Sequence, residues 1–479
     1  MAAGLRVHAL DRASFAIDEL VTVHFATGRD RPFAPYEVGV VLDPPPMVQE
    51  LRGAPPWWRV STAMGEDTHP PLHPIMLRGW LTVFGESDSA ARMLSVVFSL
   101  AALLLLFDAV RTLHGDGVAL LAAALCAVSG AQILYAQEVR SYMMLVMLSA
   151  GALAVGARLI VRGGTALRCA LFGMVALAMM LTHYFAIGLL APLFAYLIVS
   201  LQRHERTKLL IATAAAAALF LIVWGPFFWG QRNNFSQNTE WISDVAPHHF
   251  VRTLGLVALL PAPLLFGTSA WLPPAALIFV APFLVWRRNP RVLLWLGCVV
   301  GPILLVAMSD LKEHRQTIAL IRYSLLATMP LCALLASMFA HVPAPGRYFL
   351  PLLGILMCVA AWPTLWNDEK PPWRALVAET SPWLTREDAL VVKRRPGREW
   401  FAAVTYMAIT RYARGLPCPV IIVDDPASDA VLTRLRRARA VVVVASDEVP
   451  IGKYLPGAEQ IVASKVFPKI GTYTVVHIH

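Results

Sequence analysis

Charged side chains are scarce in this sequence. They make up 15% of its 479 residues, whereas hydrophobic residues make up 57%, and the mean hydropathy is +0.59. This composition excludes an ordinary soluble domain and indicates a polytopic membrane protein. The apolar runs are long enough, because about 20 helical residues cross the hydrocarbon core of a bilayer. Since backbone polar groups in lipid must be satisfied within their own segment, these runs should be helices.

Cysteine is also sparse, with six residues and neither a CxxC motif nor a Cys/His cluster. Five of the six lie in apolar runs, where a thiol behaves as a small buried hydrophobe. The sixth, Cys418, stands alone in the C-terminal tail. The pattern therefore predicts no disulfide framework and no thiolate zinc site.

The formal net charge of +10 would by itself suit a nucleic-acid partner. The basic residues, however, are concentrated in short connectors between apolar runs, at 158–168, 202–208 and 287–291. Basic connectors of this kind mark the cytoplasmic side of a membrane protein. We therefore expect the lipid bilayer as a partner, and no nucleic acid.

Ten apolar segments predict membrane-crossing helices. They lie at about 91–112, 117–134, 141–161, 166–182, 185–201, 208–228, 271–286, 292–308, 319–340 and 347–366. A further apolar stretch, 250–267, contains Pro261 and Pro263, and counting it as a crossing would reverse every later span. We predict a re-entrant or interfacial helix there, broken by the prolines. With ten crossings, both termini face away from the cytoplasm.

Composition divides the chain into three parts. Residues 1–90 are predicted to form a first outer loop with short helices, 91–366 a transmembrane helical domain, and 367–479 a small extracytoplasmic α/β domain. The tail contains β-rich runs such as "PVIIVDD" and "AVVVVAS" with a helical stretch between them, a strand–helix–strand pattern. The predicted fold class is an α-helical polytopic membrane protein of about ten transmembrane helices with this α/β domain at its C-terminus.

Five polar motifs fall on the non-cytoplasmic side of this topology. They are Asp18–Glu19, Asp67 and His69 in "GEDTHPPLHP", Glu138, Arg140 and Tyr142 in "QEVRSY", His183–Tyr184, and Arg322–Tyr323. Each motif also fits a structural explanation, such as surface charge, an ion pair, interfacial anchoring or snorkelling. Ionisable groups at membrane depth favour function, however, and a guanidinium is a natural ligand for phosphate. Their common side predicts a single site at the lipid boundary.

The stretch "GEDTHPPLHP" also contains a helix start. Pro70 and Pro71 are tolerated in the first turn of a helix, and Asp67 or Thr68 can cap it. The residues that follow predict a short amphipathic helix along the membrane interface. This explains the prolines, but not the joint presence of Asp67 and His69.

The order of the motifs resembles the GT-C superfamily of membrane glycosyltransferases. The likeness is greatest to the bacterial branch related to dolichyl-phosphate-mannose protein mannosyltransferases and the aminoarabinose transferases of lipid A. It covers roughly residues 13–366 and is carried by "DE" (18–19), "DTHPPL" (67–72), "SDSAARMLS" (87–95), "QEVRSY" (137–142), "THY" (182–184) and "RY" (322–323). The resemblance implies a GT-C-like fold. It also implies an inverting enzyme of the bacterial inner membrane, with its active site facing the periplasm or exterior.

The resemblance further implies substrates and roles. The donor would be a polyprenyl-phosphate-linked sugar, and the acceptor a glycolipid, lipopolysaccharide, polysaccharide or protein. Asp18 would be the general base and Glu19 would orient the acceptor. Donor and phosphate binding would fall to His69, Arg140, Arg322 and Tyr323. Supporting roles would fall to Asp67, Glu138, Tyr142, His183 and Tyr184, whereas His73 receives none.

The family places a membrane helix before the "DE" pair. We expect either that translation begins upstream of Met1 or that the chain tolerates the absence of that helix. No cofactor is implied as a requirement. A divalent cation is compatible with the superfamily, but no residue pattern here demands one.

Two other classes of function remain open at this point. A transporter or flippase of a lipid-linked glycan would carry ionisable groups at mid-membrane and pseudo-symmetric halves, and neither is evident. A non-catalytic membrane scaffold with a binding module in its tail would draw on "VDDPASD" (423–429) as a metal site. A turn with a helix cap is the simpler interpretation of Asp424 and Asp425.

Overall fold

The computed structural model describes residues 1–30, 38–238, 248–267, 277–365, 370–394, 399–423, 429–445 and 460–477. Two compact units emerge from the contacts between residues. The first comprises Met1–His8, Met64–His73 and Arg92–Asp368, and the second comprises Ala9–Ala63, Pro74–Ala91 and Glu369–His479. Most of the predicted first loop, 1–90, thus belongs to the same unit as the C-terminal tail.

Helices dominate the described chain. In chain order they are α1 (Ala2–Val7), α2 (Ile17–Ala26), α3 (Arg59–Met64), α4 (Leu72–Phe84), α5 (Asp88–His114), α6 (Asp116–Val128), α7 (Gly130–Ala136), α8 (Tyr142–Arg162), α9 (Ala166–Met180), α10 (Ile187–Ser200), α11 (Arg203–Asn238), α12 (His249–Leu259), α13 (Pro261–Phe266), α14 (Leu277–Val280), α15 (Pro282–Val285), α16 (Val292–Glu313), α17 (Ile321–Ser324), α18 (Thr328–Phe339), α19 (Gly346–Leu365), α20 (Trp373–Thr380), α21 (Glu399–Tyr412) and α22 (Asp429–Leu435). Short 3₁₀ turns, including Tyr184–Ala186 and Thr317–Ala319, connect some of them.

Six helical segments of the described chain are long and apolar enough to cross a membrane. They are Asp88–His114, Tyr142–Arg162, Arg203–Gln231, Val292–Glu313, Ile321–Phe339 and Gly346–Pro363. The bent pair α6–α7 is a seventh if it counts as one span, and α9, Tyr184–Ser200 and α12 are shorter apolar helices. Within the predicted span 271–286, residues 271–276 lie outside the described residues and the remainder contains only α14 and α15. The predicted fold class is confirmed: this is a multi-pass helical membrane protein with a small region of strands.

A sharp break separates α6 from α7, which meet at 58°. A broken helix leaves carbonyl groups without their usual partners, which is costly in an apolar environment. Here the Ala127 carbonyl accepts from Arg6 Nη1 at 3.0 Å, and the Val128 carbonyl accepts from Trp362 Nε1 at 3.1 Å. Gly130 starts α7 in close contact with α13, where an added Cβ would collide with a backbone carbonyl. The break is therefore stabilised by specific contacts, and it sets the direction of α7.

The apolar stretch 250–267 forms two helices, as its prolines predict. α12 ends at Leu259 and α13 begins at Pro261. α13 ends at Gly267, whose φ of 77° lies in the left-handed region that glycine adopts without strain. Its re-entrant or interfacial placement stays a prediction.

A six-stranded sheet forms the core of the second unit. Its strands are β1 (Val41–Leu42), β2 (Ala389–Lys393), β3 (Val420–Val423), β4 (Ala440–Ala445), β5 (Gln460–Phe467) and β6 (Gly471–His477), in the order β1-β3-β2-β4-β6-β5. The central pairs β2–β3 and β2–β4 are parallel, and the other pairs are antiparallel. β2 to β4 are buried on both faces, which explains their continuous apolar sequences.

The strand–helix–strand pattern predicted for the tail is therefore present, and α21 adds a second connecting helix between β2 and β3. Strand β1 was not predicted. It comes from the first loop and pairs antiparallel with β3, Val41 lying opposite Ile421. The proposed turn at Asp424 and Asp425 lies outside the described residues.

Candidate active site

The loop before α4 contains a compact polar cluster. His69 Nδ1 lies 3.2 Å from Asp67 Oδ2 and 3.1 Å from Thr68 Oγ1. Both side chains of the His69–Asp67 pair are about one-fifth exposed, at 19% and 23%. The predicted helix is present as α4, but it begins at Leu72, so the two prolines precede it and neither Asp67 nor Thr68 is at its N-cap. The carboxylate of Asp67 thus orients the imidazole of His69, as second partners of functional histidines commonly do.

A chain of three side chains fastens this loop to α11. Gln231 Nε2 donates to the carbonyls of Met64 at 2.6 Å and His69 at 3.1 Å. Its amide oxygen accepts from the Tyr184 hydroxyl, which in turn accepts from Trp224 Nε1 at 2.8 Å. The amide of Gln231 is therefore committed at both ends. This network gives the Tyr184 hydroxyl a structural role, and it fixes the backbone at His69.

His183 completes a cluster of rings. Its ring centroid lies 5.2 Å from that of His69 and 6.4 Å from that of Tyr323. Its Nδ1 accepts from the Phe185 backbone N–H at 3.1 Å, so a neutral ring carries its proton on Nε2. The side chain is only 7% exposed. Three of the predicted motifs, at residues 67–72, 182–184 and 322–323, therefore meet at these rings.

Two arginines flank the cluster, each over a tyrosine ring. Arg140 lies 5.6 Å from the ring centroid of Tyr142, and Arg322 lies 5.4 Å from that of Tyr323. Tyr142 packs edge to face on Tyr135 at 5.6 Å, and Tyr135 is within electrostatic range of Arg322. A tyrosine face attracts a cation. A cation–π contact with the neighbouring tyrosine thus helps to fix the position of each guanidinium group.

The electrostatics of this site combine one anion, neutral imidazoles and fixed cations. Burial opposes ionisation of Asp67, but the hydrogen bond from His69 and the charges of His69 and Arg140 outweigh it and lower its pKa. Burial, followed by the charges of Arg140 and His69, lowers the pKa of His73 to about 3. Burial, followed by His69 and Arg140, also lowers the pKa of His183 well below its usual range. At neutral pH these two buried histidines are therefore uncharged.

The loop that carries Arg140 is held by backbone and side-chain bonds on both sides. Gln137 Nε2 donates to the carbonyl of His8 at 2.7 Å and to that of Arg6 at 3.1 Å. Ser95 Oγ donates to the Glu138 carbonyl at 2.6 Å. Arg6 is fully buried and donates from Nε to a serine of α5 at 2.7 Å. The N-terminal residues of the described chain thus position the loop that leads to Arg140.

An acidic residue organises the turn before Arg322. Asp310 is fully buried, and its carboxylate accepts from the backbone N–H groups of Thr317 at 3.0 Å and Ile318 at 2.7 Å. His249 Nε2 donates to the Asp310 carbonyl at 3.0 Å. The polar loop between α16 and α17 is therefore ordered from within. This ordered loop fixes the positions of Arg322 and Tyr323, which follow it in α17.

The predicted catalytic pair, Asp18 and Glu19, belongs to the second unit and occupies the first turn of α2. Glu19 is fully buried, and its Oε2 accepts from the Ala16 backbone N–H and from Lys370 Nζ, both at 2.9 Å. Asp18 is partly exposed, and its backbone carbonyl accepts from Thr22. One carboxylate of the pair is thus engaged in helix capping and an ion pair.

The motif "SDSAARMLS" also has a structural explanation in the second unit. Asp88 accepts from Arg411 Nε at 2.8 Å, from Arg374 Nη2 at 2.7 Å and from the Tyr412 hydroxyl at 2.7 Å. Its side chain is 5% exposed. A buried carboxylate needs such partners to remain charged. Asp88 therefore holds α20 and α21 together within the second unit.

The structure brings together the predicted residues of the first unit. Asp67, His69, Arg140, Tyr142, His183, Tyr184, Arg322 and Tyr323 all lie in the network of contacts described above. Glu138 contributes its backbone carbonyl. Sequence reasoning missed Gln231, Trp224, Tyr135, Arg6 and Lys370. The polar residue Gln231 near the end of a long apolar run was a usable signal for the first of these.

The described residues contain no group of three or more His, Cys, Asp and Glu side chains suited to a metal ion. The charges around His69 and His183 are supplied by protein side chains. The chemical capacity of this arrangement is to hold an anion between two guanidinium groups and neutral imidazole donors.

Comparison with known proteins gives one matching family model and structures with a similar fold. Residues 68–229 match the family model described as dolichyl-phosphate-mannose-protein mannosyltransferase. Over its whole length the chain superimposes on ArnT from Cupriavidus metallidurans bound to undecaprenyl phosphate, with a TM-score of 0.56 and 14% identity, covering 100% of this chain and 96% of that one. The chain shares the ArnT fold.

The structure of the same ArnT in the apo state gives a TM-score of 0.53 and 14% identity, covering 86% of this chain and 87% of that one. Among curated proteins no sequence match was found. The family model covers His69, Arg140 and His183, whereas Asp18, Glu19, Arg322 and Tyr323 lie outside it. The resemblance that the motifs indicate is confirmed, and at this level of identity the ArnT likeness concerns the fold.

Proposed function

We propose that this protein is an inverting glycosyltransferase that moves a sugar from a polyprenyl phosphate to an acceptor outside the cytoplasm. The observation that carries the proposal is the ring cluster of His69, His183 and Tyr323. Arg322 lies over the ring of Tyr323, and Arg140 is within electrostatic range of His183. The ArnT fold, solved in a relative with undecaprenyl phosphate bound, supports the class of donor. The basic connectors support a bacterial plasma-membrane protein with its site facing the exterior.

The proposed reaction has a simple balance. An acceptor hydroxyl oxygen forms a bond to the anomeric carbon while the bond from that carbon to the phosphate oxygen breaks. The hydroxyl proton passes to Asp18, and the lipid phosphate leaves with the electron pair of the broken bond. The sugar passes through an oxocarbenium-like state, as in other glycosyl transfers.

In this proposal Arg140 and Arg322 stabilise the charge that develops on the leaving phosphate. The imidazoles of His69 and His183 donate hydrogen bonds to its oxygens. Asp18 acts as the base rather than Glu19, because Glu19 Oε2 already accepts from Ala16 and Lys370. Since two arginines supply the positive charge, we propose no cofactor requirement, and chelation with EDTA should leave transfer intact.

The test of the base is Asp18→Asn, which removes the proton acceptor while preserving the shape of the side chain. We expect a loss of transfer of about 10²-fold or more, the range of general-base contributions, with an unchanged thermal unfolding midpoint. Asp30→Asn is the control, because Asp30 is an acid of the same unit that is 74% exposed. Full activity in Asp18→Asn would remove Asp18 from the mechanism.

The test of the phosphate site is Arg322→Gln, measured by the binding of undecaprenyl phosphate to the purified protein. We expect weaker binding, because a charge-assisted contact to phosphate is lost. Arg347→Gln is a matched control, since Arg347 also lies over the neighbouring tyrosine, 4.7 Å from the ring of Tyr348, but is exposed. Equal affinity in the wild type and Arg322→Gln would contradict the assignment. A flippase would bind this lipid but transfer no sugar.

A further inference from the structure

A cavity of about 480 Å³ opens in the second unit. Its walls come from three stretches of chain: 47–52 in the first loop, 84–87 at the end of α4, and 410–414 at the end of α21. Its volume falls within the roughly 300–1,000 Å³ range of small-molecule sites. No role has been given to it so far.

The walls of this cavity are tied to one another. Arg29 Nη1 donates to the Glu50 carbonyl at 2.7 Å, which holds the first wall. The carboxylate of Glu86 accepts from the Leu51 backbone N–H at 2.9 Å, which joins the first wall to the second. Arg411 Nη2 donates to the Glu86 carbonyl at 2.9 Å, which joins the second to the third. The cavity is thus preformed, and a ligand would lose little affinity to ordering its walls.

The lining of the cavity contains both hydrogen-bond acceptors and hydrogen-bond donors. Glu50 and Glu86 contribute carboxylates, and Arg52 and Arg414 contribute guanidinium groups. Because a hydroxyl both donates and accepts, adjacent hydroxyls of a sugar ring suit such a lining. The formal charges of these four groups cancel, and Arg411 is paired with Asp88. A neutral, hydroxyl-rich ligand therefore fits the cavity better than a polyanion.

An aromatic ring stands at the same cavity. Phe84 lines it, is 58% exposed, and packs on the ring of Trp80 with 4.0 Å between the centroids. The apolar face of a sugar ring can pack on such a surface. The combination of a ring with planar polar side chains favours a glycan over a peptide or a purely apolar ligand.

The second wall of the cavity is adjacent in the chain to the start of a candidate membrane span. Phe84 ends α4, Asp88 begins the candidate membrane span α5, and only residues 85–87 lie between them. A head group attached to a lipid anchor can therefore reach the cavity without leaving the membrane surface.

We propose that this cavity binds the glycan head group of the acceptor. The assignment rests on the proposed glycosyltransferase function, and it deepens that function by naming a neutral, hydroxyl-rich acceptor held in the second unit. Arg52, Arg414 and Phe84 are the residues that recognise it.

The test is saturation-transfer NMR on the purified full chain with chitobiose as a neutral probe and inorganic phosphate as an anionic probe. We expect signal transfer to chitobiose and a loss of affinity of about tenfold in Arg52→Ala/Arg414→Ala and in Phe84→Ala, as expected for a few lost hydrogen bonds or one ring contact. Arg437→Ala is the control, because Arg437 is exposed in the same unit and does not line the cavity. Binding of phosphate but not of chitobiose would overturn the proposal, as would equal chitobiose binding in all variants.

This experiment is independent of transfer activity. Binding of undecaprenyl phosphate should be unchanged in the Arg52, Arg414 and Phe84 variants, because these residues do not belong to the phosphate site. If chitobiose binds as expected but no sugar transfer is detected with any donor, the proposed function fails while the glycan site stands. If transfer is detected and the cavity variants leave the acceptor KM unchanged, the glycan site fails while the proposed function stands.

Discussion

The ring of His69 meets the ring of His183 edge to face, with 5.2 Å between their centroids. The two residues come from motifs that lie far apart in the sequence, and each is fixed by a separate device. Gln231 holds the backbone of His69, and the Phe185 N–H holds the ring of His183. The contact is therefore a product of the fold, and it places two imidazole rings together within electrostatic range of Arg140.

Replacing His183 with asparagine separates the ring contact with His69 from the hydrogen bond with the Phe185 N–H. Asparagine retains a side-chain acceptor for the Phe185 N–H but removes the ring that packs on His69. We expect undecaprenyl phosphate to bind about two- to tenfold more weakly, as for the loss of one aromatic pair, with little change in the thermal unfolding midpoint. His183→Ala, which removes the acceptor as well, should lower both. Unaltered lipid binding in the asparagine variant would show that the ring has no part in the site.

Replacing Glu19 with glutamine tests whether this residue acts in catalysis or in folding. The substitution leaves Lys370 buried without its counter-charge, and breaking a buried pair costs about 3–5 kcal/mol. We therefore expect a clear loss of stability in thermal or denaturant unfolding, with the rate per folded molecule largely retained. Lys370→Met in the same background should recover part of the stability. A Glu19→Gln protein that is stable but inactive would instead show that Glu19 acts in catalysis.

His73 gives the protein a predictable response to acid. Burial, followed by the charges of Arg140 and His69, lowers its pKa from 6.5 to about 3 in the folded protein. The unfolded chain therefore binds a proton at His73 below about pH 6.5, which the folded protein does not bind until about pH 3. Its contribution to stability is fully present above pH 6.5 and is lost progressively as the pH falls from there.

The measurement is the unfolding midpoint between pH 7.5 and pH 4.5 in the wild type and in His73→Gln. The variant should show a shallower decline, because glutamine takes up no proton in this range. His8→Gln is the control, since His8 is exposed. Parallel pH profiles for the wild type and His73→Gln would disprove the assignment.

Arg6 links the N-terminal residues to the loop of Arg140. Its guanidinium donates to Ser99 and to the Ala127 carbonyl at the α6–α7 break, and Gln137 donates to the Arg6 carbonyl. A small displacement of a binding group is enough to lower activity by about 10²-fold. We therefore expect Arg6→Met to weaken the binding of undecaprenyl phosphate as well as to destabilise the protein.

Stability alone does not identify a positioning role, so the comparison variant is Arg158→Met. Arg158 is partly buried in the same unit and pairs with Asp108 at 2.7 Å, and it lies near the opposite end of α8 from the Arg140 loop. Its loss should reduce stability and leave lipid affinity unchanged. Gln137→Ala should share the lipid-binding defect of Arg6→Met. Equal lipid affinities in all three variants would contradict the link.

The sequence allowed the residues of the first unit's site to be predicted because ionisable groups stand out against apolar spans. His69, Arg140, His183 and Arg322 were all identifiable in this way. The helical membrane class could be predicted because long apolar runs leave few structural alternatives. The fold itself was implied by the resemblance of the motifs to the GT-C superfamily.

What was missed depends on contacts between distant parts of the chain. Lys370 pairs with Glu19 across most of the sequence, and neither residue has a local pattern that names the other. Strand β1 is only two residues long and exists because β3 offers it an edge, so no local propensity marks it. Gln231 looks like one more polar residue at the end of a span until its amide is seen to bond the loop of His69.

The pairing of β1 with β3 has a consequence for the biogenesis of this protein. Residues 41–42 leave the ribosome long before residues 420–423, with which they pair. The membrane helices between them must therefore be synthesised before the sheet can gain its edge strand. Until β3 is synthesised, residues 41–42 have no strand to pair with. In a nascent chain stalled before residue 420, the loop that contains them should therefore be cleaved by proteases that the finished protein resists.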